Sequence, residues 1–286
     1  MSAKMVDKLA TVLMWMAGIV ILGILAAFLL YILMKGVPVL SWDFIFGKSS
    51  DIQAGGGVGA QLFNSFYILS LSLLVSIPLA IGAGVYLAEY AADNRLTNMI
   101  RLSTESLATV PSIVLGLFGM IIFVNLLGMG FSIIGGALTL TLLNLPVLVR
   151  VTEESIKTVP VHYREASLAL GATKWQTTWR VVLPNALPGI ITGITLTAGR
   201  ALGETAILIF TAGTTVSRQM ANVDVTAAGE TLAVHLWYVM AVGLVPDRVD
   251  IANGSAALLV ITILLLNLMF TIPSKVLQRK LGAGGH

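Results

Sequence analysis

The chain has no cysteine. That excludes disulfides, thiolate zinc sites and cysteine nucleophiles, and it leaves the compartment undetermined. Charge is scarce as well: 11% of the 286 residues are Asp, Glu, Lys or Arg, while 57% are hydrophobic and the mean hydropathy is +0.92. A water-soluble domain of this size cannot hide so much apolar surface, so the sequence reads as an all-α, polytopic membrane protein. The net charge of +3 does not point to nucleic acid, because the basic residues gather at the ends of apolar runs instead of in one patch interleaved with aromatics. A phosphate loop is missing too. Gly47-Lys48-Ser49 would need a glycine at position 42, where Trp42 stands. With no metal-ligand cluster, no nucleophile–base pair and no paired carboxylates in a membrane-facing pocket, the sequence offers no catalytic residues and no metal site.

What is present is a series of long apolar runs. Six can cross a hydrocarbon core of about 30 Å: residues 11–34, 62–86, 107–127, 132–149, 187–212 and 255–272. The first exceeds the apolar length of a signal peptide, about 7 to 15 residues, and no small-residue cleavage site follows it, so it reads as a retained anchor. Pro78 predicts a kink in the second span, and Arg95 and Arg101 fall on a short loop after it. Asn144-Leu145-Pro146 predicts a local break in the fourth span, and Pro273 closes the sixth. In the fifth, Gly189 and Gly193, then Gly199 and Gly203, are four apart, a spacing that lets a neighbouring helix approach closely and marks this helix as internal. The organisation expected is an N-terminal anchor with an external loop over 1–61 and a transmembrane domain over 62–286. Within the latter lie two polar segments, 150–186 and 214–254. The centre of the second, 227–243, reads as a re-entrant or surface helix carrying Glu230 and His235, with His235 a hydrogen-bonded interface residue rather than a metal ligand, since no ligand cluster surrounds it.

Six spans put both termini on one side. The two tails, the 87–105 loop and the 150–186 segment together hold twelve Lys and Arg, whereas Lys35, Lys48, Arg218 and Arg248 are the four on the other side. The excess of basic residues marks the cytoplasmic face, so both termini and the 150–186 segment are expected there.

Residues 165–184 are the most informative stretch. Ala166, Ala169 and Leu170 share one helical face, Gly171 supplies a helix stop, and Thr173 opens a second helix with Gln176 three residues on, the spacing of a capping box. Trp175, Trp179 and Val182 form its apolar stripe, and Pro184 is expected to end it. The literal pattern is Glu165-Ala166-Ser167, three residues, Gly171, nine residues, Val181, one residue, Leu183-Pro184. It resembles the EAA loop of ABC importer permeases, departing only by Ser167 for alanine and Val181 for isoleucine. The resemblance implies a type I importer permease fold in which this loop forms cytoplasmic coupling helices. Glu165, Ala166, Gly171, Ala172, Leu183 and Pro184 would then couple to an ATP-hydrolysing subunit.

The likeness extends further. Thr152-Glu153-Glu154, Thr158-Val159-Pro160, the run from Arg164 to Trp175, Val110-Pro111-Ser112 with the residues to Phe118, and Arg200-Ala201-Leu202-Gly203-Glu204-Thr205-Ala206 are together similar to the PstA-type permeases of phosphate ABC importers. The resemblance implies a heterodimer with a PstC-type permease, two cytoplasmic ATPase subunits, an external phosphate-binding protein and surrounding lipid, in the inner membrane of a prokaryote. It implies no cofactor on this chain, with ATP and Mg2+ held by the ATPases. Sulfate, molybdate and amino-acid permeases share the loop, so another oxyanion or small solute stays open as substrate. A secondary transporter, the alternative from a different class, would need its own coupling-ion site and gives no reason for the EAA-like loop.

Arg200 and Glu204 are the one oppositely charged pair well inside a predicted span. Each charge costs about 2.5–3.5 kcal/mol at a helix centre, so both should face protein or water. Four residues apart on one helix, they could form a salt bridge. The functional expectation is that Arg200 faces the transport path, where its planar fork suits phosphate oxygens, and that Glu204 holds it and keeps binding weak enough for release.

Overall fold

The computed structural model describes residues 3–50, 54–215 and 221–282, and these are helical with no strand among them. Arg218, one of the basic residues counted above, lies outside the described residues. Five helices are long and apolar enough to cross a membrane, over Ala3–Val39, Gly59–Tyr90, Ile133–Lys157, Lys174–Leu202 and Arg248–Pro273. A bent pair, Arg95–Ala108 and Ser112–Leu126, meets at 97° and makes a sixth span if counted as one.

The helices are α1 (Ala3–Gly36), α2 (Trp42–Phe46), α3 (Gly59–Val85), α4 (Arg95–Ala108), α5 (Ser112–Gly119) and α6 (Ile133–Lys157). They continue as α7 (Val161–Ala169), α8 (Lys174–Thr177), α9 (Leu183–Leu202), α10 (Ala206–Thr211), α11 (Leu232–Ala241) and α12 (Arg248–Gly282). Three wider π turns, Tyr86–Tyr90, Met120–Leu126 and Thr178–Val182, extend α3, extend α5 and join α8 to α9. The core lies where α3, α6 and α9 meet. Ile68, Leu140, Ala198, Ile207, Leu208 and Val234 are buried together there. Small residues set the spacing: a side chain on Gly84 would collide with Thr152, and side chains on Gly189 and Gly193 would collide with Ser155 and Val151. By contrast α1 stands apart, exposed along its apolar length, and meets α12 at its end, where Gly36 lies against Asn253 and Ala257.

Several boundaries differ from the sequence reading, and those at Pro146 and Pro273 share a cause. A helix in hydrocarbon cannot open its backbone bonds to water, so a proline there loses one bond without ending the helix. Pro146 lies inside an unbroken α6, and neighbouring Asn144 does not mark a break: it donates to Ser72 Oγ on α3 at 3.3 Å. Pro273 lies inside α12, which runs on to Gly282. Pro184 starts α9, because the π turn before it has already shifted the backbone ladder. Arg95 and Arg101 sit on a regular helix, α4, that Asn94 caps by accepting from Thr97 N–H at 2.9 Å, where a short loop was expected. The fifth span ends at Leu202, short of residue 212, leaving Gly203 outside it. Only the first glycine pair therefore makes a tight helix contact.

Candidate functional site: a hairpin at one end of the bundle

Helices α7 and α8 form the hairpin that the sequence singled out. Gly171 turns it with φ +84, and no atom lies within 4 Å of the place a Cβ would occupy. The glycine is thus required by its left-handed backbone and not by lack of room. Ala172 N–H returns to Ser167 O at 3.2 Å, closing the end of α7. The capping box is complete: Gln176 N–H donates to Thr173 Oγ1 at 3.3 Å, and Thr173 N–H donates to Gln176 Oε1 at 2.9 Å. Ser167, where alanine stands in the EAA pattern, shares a hydrogen bond of 2.9 Å with the Thr177 hydroxyl across the hairpin.

The hairpin has an inner root and an outer face. At the root, Val182 and Ala186 are buried with Val85, Ile156 and Val159, and Leu183 packs against them. Leu183 and half-buried Pro184 therefore belong to the attachment and not to the tip. The outer face carries Glu165, which is exposed and has no hydrogen bond or ion pair among the described residues, with exposed Ala166 beside it and half-buried Ala172 on the turn. Leu170 is 89% exposed and Trp175 61%, and Trp175 contacts Trp179 with ring centroids 5.2 Å apart. The hairpin thus exposes the apolar side chains of Leu170 and Trp175 and the carboxylate of Glu165 on a capped and cross-bonded turn.

Ion pairs that sequence reasoning missed brace this end of the bundle. Arg164 donates to Glu89 Oε1 through Nε at 2.9 Å and Nη2 at 2.7 Å, and to the carbonyls of Val159 and Ile156 at 2.7 and 2.9 Å. Arg101 reaches from α4 to the buried Glu153 at 2.8 Å and to Leu87 O at 3.1 Å, while Lys157 pairs with the same carboxylate at 2.6 Å. Spacing foreshadows only the last of these, Glu153 and Lys157 being four apart on α6.

Arg200 and Glu204 do not pair. Helix α9 ends between them, Arg200 stays exposed on its last turn, and Glu204 turns inward, its Oε1 accepting from Ile207 N–H at 3.4 Å at the start of α10. Among the described residues Arg200 has no ion-pair partner. It lies on a stripe with exposed Thr192 and Leu196, one turn apart along α9.

At the opposite end, the segment expected to be a re-entrant or surface helix is folded in: Thr231 caps α11, and Leu232, Val234 and His235 are buried. Glu230 is completely buried, its Oε2 meeting Gln61 Nε2 at 3.1 Å and His235 Nδ1 at 3.0 Å. Asn64 Nδ2 donates to Glu230 O, and Leu232 N–H donates to Ser65 Oγ. His235 is buried and hydrogen-bonded, and no group of three or more His, Asp or Glu suited to a metal occurs among the described residues.

Residues 80–283 match the family model described as binding-protein-dependent transport system inner membrane component. A probable ABC transporter permease protein, YqgI of Bacillus subtilis, is 48% identical over 99% of this chain and 100% of its own length. The phosphate transport system permease proteins PstA of Pasteurella multocida and Haemophilus influenzae are 32% and 34% identical, over 94% and 92% of this chain and 94% and 91% of theirs. Among solved structures, a bacterial ABC transporter involved in import of the acidic polysaccharide alginate aligns with TM-score 0.64 at 13% identity, over 91% of this chain and 95% of that one. The MetNI methionine ABC transporter in an inward-facing conformation aligns with TM-score 0.60 at 21% identity, over 77% and 94%. The shared helical architecture and the match over residues 80–283 make one conclusion: this chain belongs to the family of binding-protein-dependent transport system inner membrane components, the permease subunits of ABC importers.

Proposed function

We propose that the chain is one of two permease subunits of an ATP-driven phosphate importer in the inner membrane of a prokaryote. The observation that carries the substrate is the likeness to two phosphate permeases at 32% and 34% identity across more than nine tenths of the chain. In this reading the α7–α8 hairpin and both termini are cytoplasmic, as the distribution of Lys and Arg favours. The outer face of the hairpin, Glu165 with Leu170 and Trp175, docks on one of two ATPase subunits, which hold ATP and Mg2+; this chain supplies no ATP site. A PstC-type permease completes the path, and an external phosphate-binding protein delivers the anion. ATP-driven closure of the ATPases moves the hairpins and rocks the bundles between two states, alternating access to the path.

Arg200 supports the anion reading. An exposed guanidinium on a membrane-spanning helix, without an ion-pair partner among the described residues, is tolerable where it faces the path between the two permeases, and there its fork can hold phosphate oxygens. Glu204 is not its counter-ion, so release must be set by hydration or by the partner permease. A permease for another oxyanion or small solute is the second reading, favoured by the 48% identical relative whose name specifies no substrate.

Reconstitution of the four-subunit membrane complex with its binding protein tests both. Phosphate uptake and phosphate-stimulated ATP hydrolysis are expected, and sulfate or molybdate stimulating while phosphate does not would decide for the second reading.

A further inference from the structure

The hairpin is joined by the chain to α6 and α9 but not to α3. Force on it reaches α3 only through side chains. Two consecutive residues of the π turn that ends α3 are gripped, one by each helix of the hairpin. Glu89 receives two hydrogen bonds from Arg164 of α7, and Tyr90 lies with its ring centroid 5.0 Å from Lys174 Nζ of α8. The first grip is the stiffer. Its side chains are 10% and 19% exposed for Glu89 and Arg164, and the same guanidinium also holds the Val159 and Ile156 carbonyls at the end of α6. A planar fork bonded on several sides fixes direction as well as distance. The apolar root around Val85 and Val182 resists separation but lets surfaces slide, because dispersion contacts have no preferred direction.

We propose that Arg164 and Glu89 are positioning residues that make α3 move with the hairpin: a strut that delivers the ATPase-driven displacement to α3, which would otherwise be taken up at the α6–α7 turn. The proposal rests on the hairpin being the ATPase-docking element. Breaking one member alone leaves a desolvated charge and can unfold the joint. The test therefore uses the neutral pair Glu89→Gln with Arg164→Gln, alongside Arg164→Lys, which keeps charge but loses the fork.

Two readouts are taken on the reconstituted complex. The first is radiolabelled phosphate imported per ATP hydrolysed. The second needs no substrate: nitroxides on Gly82→Cys and Val161→Cys, both exposed and in a chain without native cysteine, report the α3–α7 distance by electron paramagnetic resonance with and without ATP plus vanadate. The neutral pair is expected to retain ATPase subunits at wild-type stoichiometry and to hydrolyse ATP. Its phosphate imported per ATP should fall at least about tenfold, and the label distance, constant in wild type, should shift on nucleotide binding. Arg164→Lys should fall between. Wild-type coupling and an unchanged label distance in the neutral pair overturn the strut. A wild-type complex that imports no phosphate overturns the substrate reading while the label distance still decides the strut, and a hairpin whose outer-face variants keep normal ATPase binding overturns the docking reading.

Discussion

Arg200 and Glu204 are separated by the end of a helix: the guanidinium remains exposed on the last turn of α9, whereas the carboxylate folds inward to accept from the N–H of Ile207. Four residues of sequence offered an internal pair, and Gly203 removed it by ending the helix. The two residues consequently do different work. Arg200 presents an exposed charge with no ion-pair partner among the described residues, and Glu204 secures the start of α10.

Substitution of Arg200 by Gln is expected to abolish phosphate uptake with the complex intact, and Arg200→Lys to restore it only in part, since an ammonium cannot replace the fork. Uptake by proteoliposomes, with subunit stoichiometry measured alongside, checks this. Unchanged uptake in Arg200→Gln would remove the residue from the path.

Glu204→Gln keeps an oxygen acceptor for Ile207 and should change transport little. Glu204→Ala should destabilise the α9–α10 junction by about 0.5–1.5 kcal/mol, the net value of one hydrogen bond. Hydrogen exchange at Ile207 reads the difference directly.

At Gly171, Val should strain the left-handed turn by about 1–2 kcal/mol or more, while Asn, which tolerates that conformation, should be accepted. The expected contrast is loss of ATPase co-purification in Gly171→Val against retention in Gly171→Asn, with both variants inserted in the membrane at normal abundance.

Ser167→Ala removes the bond to Thr177. A loss of about 0.5–1.5 kcal/mol corresponds to roughly 2- to 13-fold faster amide exchange in the hairpin, with transport preserved because the turn and capping box remain. A transport defect as large as that of Gly171→Val would show that the cross-hairpin bond, and not the turn, controls docking.

Glu230→Ala strips Gln61 Nε2 and His235 Nδ1 of their buried acceptor, and each unsatisfied group costs about 1–3 kcal/mol. Glu230→Gln retains one acceptor oxygen. The thermal midpoint should therefore fall markedly for Ala and modestly for Gln, and equal midpoints would mean that the Glu230 carboxylate adds nothing to the backbone and side-chain contacts that already hold the segment.

The sequence by itself determined the class, the spans and the hairpin, because these depend on local composition and short spacings. Long apolar runs must become helices where no water can satisfy the backbone. Gly171 and the Thr173–Gln176 box act within a few residues, and both appear in the structure where their spacing put them. The break expected over residues 144–146 and the end expected at Pro273 were misplaced for the same reason that the spans were legible: rules drawn from helices in water overrate proline as a stop in an apolar bundle. Only the tertiary structure decided which charges meet. Glu89 and Arg164 are 75 residues apart, Arg101 and Glu153 52, Gln61 and Glu230 169, and no periodicity connects them. Arg200 and Glu204 show the converse. Their spacing allowed a pair, but α9 stopped at Leu202 and α10 packed into the core beyond it, which turned one charge inward and left the other exposed.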